Sequence, residues 1–169
     1  NLERFRIGNP DLEIKGKKIA FGIDSFEDYK MWYEEDFVKL AGKLYEKKLF
    51  DYIYLLCGKE KSYLADNIIK LSNKNFFINC SNKDLNGIIY ALKNSSFLVG
   101  NNSGPINLGA ALSIKSFGLI ANDPVEELQY SKIKIITPDN YSNIRCRERI
   151  GMKKLTVDKV FNKIMEDIN

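Results

Sequence analysis

One stretch of this sequence is dense in residues that can do chemistry: Val99-Gly100-Asn101-Asn102-Ser103-Gly104-Pro105-Ile106-Asn107. The apolar run Phe97-Leu98-Val99 leads into it, and Leu108, Ala111 and Leu112 follow at helical spacing. The pattern is that of a strand turning straight into a helix. Ser103 or Asn102 can cap that helix through a side-chain oxygen, Gly104 permits close backbone approach, and Pro105 suits a first helical turn. The N–H groups left unpaired at such a terminus, with the helix dipole, suit a phosphate. A plain capped strand-to-helix turn has the same spacing. The segment is neither a Walker loop nor a GxGxxG fingerprint.

Two shorter segments join it. Lys30-Met31-Trp32 follows the first strand, where a lysine can reach a phosphate held at the Ser103 helix end or remain solvated while Trp32 packs inside. Leu56-Cys57-Gly58-Lys59-Glu60 ends the second strand. Gly58 there admits a ligand and Glu60 can bind sugar hydroxyls, or the stretch is an ordinary turn.

These residues need a scaffold, and the apolar pattern supplies one. Strands are expected at Lys18–Ile23, Tyr52–Cys57, Phe76–Ile78, Phe97–Val99, Ser116–Ile120 and Lys134–Ile136. Helix-period segments fall between them: Phe37, Leu40, Ala41, Leu44 and Tyr45; Leu64, Ile68 and Leu71; Leu85, Ile88, Ile89 and Leu92; and a closing helix with Val157, Val160, Phe161, Ile164 and Ile168. Alternation of this kind means βαβ units and a parallel sheet whose strands are apolar on both faces. The fold class is therefore α/β: a three-layer, Rossmann-like doubly wound parallel sheet of about six strands. Residues 1–16 are polar and read as a lead-in linker, and residues 17–169 as one domain. Ligands of such sheets bind beyond the carboxyl ends of the strands, which selects the loops at 24–33, 58–61, 80–83, 100–107 and 121–127.

Composition excludes much. The 169 residues contain no histidine, so neither a Ser-His-Asp triad nor a Cys-His pair can form within the chain. Three cysteines cannot make a four-cysteine zinc site, and no imidazole is present to complete one. Cys57, Cys80 and Cys146 are odd in number and widely spaced, as expected of a reduced, cytosolic chain. No apolar stretch approaches the roughly 20 residues that span a bilayer, and no signal-peptide pattern opens the chain. It begins with Asn rather than Met, which reads as a fragment or processed product. The net charge is +4, and the window 141–155 accounts for all of it, with Arg145, Arg147, Arg149, Lys153 and Lys154 against Glu148 alone. That patch is a solvated face or a surface for phosphate, an anionic membrane or another domain. Apart from Tyr141 it lacks stacking aromatics, and nucleic acid is not an expected partner.

Taken together, Lys30-Met31-Trp32, Phe37-Val38-Lys39-Leu40-Ala41, Tyr54-Leu55-Leu56-Cys57-Gly58 and Asn102-Ser103-Gly104-Pro105-Ile106-Asn107-Leu108-Gly109-Ala110-Ala111 resemble the C-terminal half of glycosyltransferase family nine, the heptosyltransferase family. Order and spacing hold from about Lys18 to Pro138, and the Ser-Gly-Pro core of the last segment is the most specific part. Three positions depart from the pattern. An acidic residue is replaced by Asn102, a histidine by Asn107, and the proline after the tryptophan by Tyr33.

The resemblance implies a GT-B enzyme of two Rossmann-like domains, of which this chain is the C-terminal, nucleotide-sugar-binding one. The implied donor is ADP-heptose or similar, and the implied acceptor is a lipopolysaccharide core or related glycan bound by a missing N-terminal domain. That domain would also hold the catalytic base. Transfer would invert the anomeric carbon and need neither metal nor cofactor. By the same resemblance Ser103, Gly104 and Lys30 would hold the diphosphate and Asn102 would cap the helix. Asn107 would add a neutral hydrogen bond, Glu60 and the loop from Cys80 to Lys83, with Ser81, would line the nucleoside end, and Gly58 would admit the ligand. The implied location is cytoplasmic, peripheral at the inner face of the inner membrane of a bacterial cell envelope, and the isolated chain is expected to be inactive. The alternative is a catalytically degenerate nucleotide-binding or protein-interaction domain.

Overall fold

The computed structural model describes residues 12–128 and 132–168. Its strands are β1 (Lys18–Gly22), β2 (Tyr52–Leu56), β3 (Phe77–Asn79), β4 (Leu98–Asn101), β5 (Ser116–Leu119) and β6 (Ile133–Ile136). Its helices are α1 (Glu34–Glu46), α2 (Ser62–Ser72), α3 (Leu85–Lys93), α4 (Gly104–Ala111), α5 (Ile150–Lys154) and α6 (Val157–Ile168). All strand pairs are parallel, in the order β3-β2-β1-β4-β5-β6. This is the expected doubly wound Rossmann-like sheet, with its order reversing between β1 and β4.

Strand side chains alternate between two cores. Ile19, Phe21, Ile53, Leu55, Val99 and Phe117 pack under α1, α2 and α6. Ala20, Tyr54, Leu56 and Leu98 face α3 and α4. Both faces are covered, so the four inner strands, β1, β2, β4 and β5, are buried almost end to end. At the reversal point Gly22 pairs with Gly100. A Cβ on Gly100 would come within 3.1 Å of the Gly22 backbone, so this pairing needs glycine. Asn101, fully buried at the end of β4, accepts from the Trp32 N–H (2.9 Å) and donates to the Ile23 carbonyl (3.0 Å). It thereby stitches the loop after β1 onto β4. Trp32 is buried as expected, and its indole donates to the Leu155 carbonyl (2.9 Å).

Several expectations change. Residues 1–11 of the expected linker lie outside the described residues. Leu12 is buried, and its carbonyl accepts from the Tyr54 hydroxyl (2.8 Å). Leu71, expected to face inward, is exposed in the last turn of α2, past the packed stripe of Leu64, Ala65 and Ile68. Tyr45 is half exposed and stacks on Phe76 at the amino edge of the sheet. The basic window contains the short helix α5, which the periodicity did not mark. Gly151 lets α5 approach, because a Cβ there would overlap the Asn122 side chain.

Candidate functional site

Loops at the carboxyl edge of the sheet surround a cleft of about 960 Å³. The loop after β1 contributes Asp24 and Ser25, and the turn after β2 contributes Gly58, Glu60 and Lys61. Ser81 to Asp84 come from the loop after β3, and Ser103, Gly104 and Pro105 from the start of α4. This is the switch point of the sheet, where α/β folds bind ligands.

The start of α4 is the chemically open wall. Ser103 is extended (φ −159°, ψ 179°) and Pro105 lies in the first turn. Neither Ser103 nor Asn102 caps the helix through its side chain, contrary to the sequence expectation. The Ser103 hydroxyl oxygen is buried without a hydrogen-bond partner among the described residues. A Cβ on Gly104 would have nothing within 4 Å, so the protein's own packing does not require glycine there.

Across the cleft, the Gly58 N–H donates to the Asp24 carboxylate (2.6 Å). Burial raises the Asp24 pKa, partly offset by that N–H and by the nearby Lys61 charge. Lys61 donates to the Ser25 carbonyl and to Asp28, each at 2.7 Å. The Ser25 hydroxyl donates to the Asn102 carbonyl (3.0 Å), tying the β1 loop to the residue just before Ser103. Ser81 is buried, and its N–H donates to the Asn79 side chain (2.9 Å). Burial pushes the thiols of Cys57 and Cys80 up to about 12, so both stay neutral and unreactive at ordinary pH.

Of the eight residues singled out from sequence, Gly58, Glu60, Ser81, Ser103 and Gly104 line this cleft, whereas Lys30, Asn102 and Asn107 do not. Lys30 turns away and pairs with Glu27 (2.9 Å), Glu127 (3.2 Å) and Asp123 (3.3 Å). Burial works against its charge, but those carboxylates outweigh it and hold its pKa above the ordinary lysine value. Asn102 is buried and donates to Glu127 (2.6 Å). Arg145 also pairs with Glu127 and Asp123. The Glu127 carboxylate, from the loop after β5, therefore lies against the Asn102 side chain. Asn107 is exposed and donates back to the Ser103 carbonyl (3.1 Å), which tightens the first turn of α4. Sequence reasoning did not single out Asp24, Ser25 or Lys61. Only their place at strand ends marks them, because the bonds that position them join residues far apart in the chain.

The comparisons with known proteins bear on this geometry. Residues 5–155 match the model of the family described as glycosyltransferase family 9 (heptosyltransferase). The chain belongs to glycosyltransferase family 9. This family 9 chain has the fold of ADP-heptose lps heptosyltransferase II of E. coli, with a TM-score of 0.75 at 16% identity over 89% of the chain and 46% of that protein. It is equally similar in fold to E. coli heptosyltransferase WaaC with ADP (TM-score 0.73, 21% identity, 89% and 44% covered). A family 9 glycosyltransferase from Veillonella parvula DSM 2008 gives a TM-score of 0.72 at 17% identity, with 89% and 45% covered. The chain thus spans a little under half the length of these solved relatives. No curated protein matches it.

Departures from the family pattern now have structural settings. Tyr33, in place of proline, lies under the Arg149 guanidinium, 4.2 Å from the ring centroid. Arg149 in turn donates to the carbonyls of Met31 (2.9 Å) and Trp32 (3.1 Å). Arg145 and Arg149 from the basic window are thus engaged within the fold, while Arg147, Lys153 and Lys154 are exposed. Among the described residues no helix is long and apolar enough to cross a membrane.

Proposed function

We propose that this chain is the donor-binding half of an inverting, metal-independent glycosyltransferase that takes a sugar from ADP-heptose or a similar nucleotide-sugar. One observation carries the reading: the start of α4, not capped by the Ser103 side chain and with the Ser103 hydroxyl unpartnered among the described residues, lines the switch-point cleft. N–H groups at a helix start stabilise a diphosphate, and more strongly as charge builds on it during departure from the sugar. Gly58 and Gly104 leave room for the ligand backbone, Glu60 reaches sugar hydroxyls, and Ser81 borders the nucleoside. Lys30, Asn102 and Asn107 act in support, bracing the loops around the helix start. The acceptor, a lipopolysaccharide-core or related glycan, and the catalytic base belong to a partner domain. The exposed Arg147, Lys153 and Lys154 suit peripheral contact with an anionic membrane at the cytoplasmic face.

The test is calorimetric titration with ADP and with UDP. The reading expects ADP to bind at micromolar to millimolar concentration. No heat of binding from either nucleotide at millimolar concentration would sink it. A second reading is a degenerate domain without transferase activity, favoured by the engagement of Lys30 and Asn102 with Glu127. Nucleotide binding joined to an inactive two-domain protein would select it.

A further inference from the structure

Lys30 stands at the carboxyl edge of the sheet, as do Lys59, Lys61 and Lys83, which line the cleft, and the surroundings of Lys30 and Lys61 differ. An ammonium has three donors. Those of Lys30 meet Glu27, Glu127 and Asp123, and its side chain is 11% exposed. Swinging it out would break three ion pairs at once and leave Asp123, 3% exposed, with Arg145 alone as its cation, which is costly around a buried charge. Lys61 closes the turn Lys59–Lys61 after β2 and lines the cleft. It is anchored to the Ser25 carbonyl and paired with Asp28, and its third neighbour is the Met31 sulfur at 3.8 Å, a weak acceptor.

Lys61 is also tied to the phosphate-facing wall. Ser25 accepts from Lys61 and, through its hydroxyl, donates to the Asn102 carbonyl, one residue before Ser103. Asp28 is 76% exposed, so its pair with Lys61 is screened by water and weak. A phosphate oxygen can replace Asp28 without stranding a buried charge. The Lys61 charge also reaches Asp24, the carboxylate in the same cleft that would otherwise repel an anion.

We infer that Lys61, rather than Lys30, is the cation that meets the donor diphosphate in this chain. The inference rests on the donor-site reading above and assigns the charge within it. Backbone N–H groups at the start of α4 supply direction. Lys61 supplies a point charge on a tether whose present partner is exchangeable.

The test is ADP titration of the wild type and of Lys61→Ala, Lys61→Arg, Asp28→Asn and Lys30→Ala, each with a thermal melt. Lys61→Ala weakens ADP binding by at least about tenfold, because a charge-assisted hydrogen bond is lost, and lowers the melting temperature less than Lys30→Ala does. Lys61→Arg stays within about threefold of the wild type, and Asp28→Asn tightens binding about two- to fivefold by removing the competitor. Lys30→Ala lowers the melting temperature and weakens ADP binding less than Lys61→Ala does, because it acts only through the loops it braces. Wild-type affinity in Lys61→Ala, or an equal loss in Lys61→Arg, overturns the assignment while the donor site stands. A wild type that binds no ADP removes the donor site itself, and this assignment with it.

Discussion

At the residue scale, the carboxylate of Glu127 organises the ground behind the cleft. It accepts from Asn102 and Lys30 and pairs with Arg145. Burial works against its charge, but these partners hold its pKa below the usual 4.5. A depressed carboxylate stabilises the fold fully above its unfolded pKa and loses that contribution as pH falls through the folded value. Glu127→Gln should therefore cost about 1–2 kcal/mol near pH 7, and the difference from wild type should shrink toward about pH 3. Urea unfolding at the two pH values reads this directly, and a gap that does not change with pH would contradict it. The network also shows what the sequence could not disclose. Lys30 and Glu127 are 97 residues apart, and the resemblance presents Lys30 as a phosphate ligand with no hint of the carboxylates around it. Gly58, Ser103 and Gly104 were legible as cleft residues because strand-end and helix-start chemistry is local.

At the scale of elements, glycines separate what the fold requires from what a ligand requires. Gly100 lies against the Gly22 backbone at the crossing from β1 to β4, and a Cβ there would sit 3.1 Å from main-chain atoms. Gly104 begins α4 with open space where its Cβ would be. Gly100→Ala should destabilise by about 1–3 kcal/mol through forced backbone shifts in a packed sheet. Gly104→Ala should leave stability equal or up to about 1 kcal/mol higher, since alanine favours the helix and restricts the unfolded chain. It should nevertheless weaken ADP binding, because the methyl group occupies the approach to the helix start. Chemical unfolding and ADP titration of the two variants test the pair together. A Gly104→Ala protein that is destabilised with unchanged affinity would reverse the assignment.

The same scale shows why most elements could be read from sequence and α5 could not. The six strands are apolar runs bounded by turn residues, and the structure places each within a residue or two of its expected span. The helices α1, α2, α3 and α6 carry stripes long enough to show their period. By contrast, α5 has five residues, and only Met152 among them is buried. Its position depends on Gly151 fitting against Asn122, a tertiary contact without a sequence period.

At the scale of the whole molecule, a chain of a little under half the length of its solved relatives has a closed two-sided core and an open switch-point cleft. Such a half can bind a donor without turning it over if base and acceptor site lie elsewhere. The most direct test of that central claim is an amide-resolved NMR titration of the isolated chain with ADP. The account predicts that the largest shifts fall on the N–H groups of Gly58, Ser103 and Gly104 and saturate together. Absence of shifts at millimolar ADP, or shifts confined to the basic stretch from Arg147 to Lys154, would contradict it.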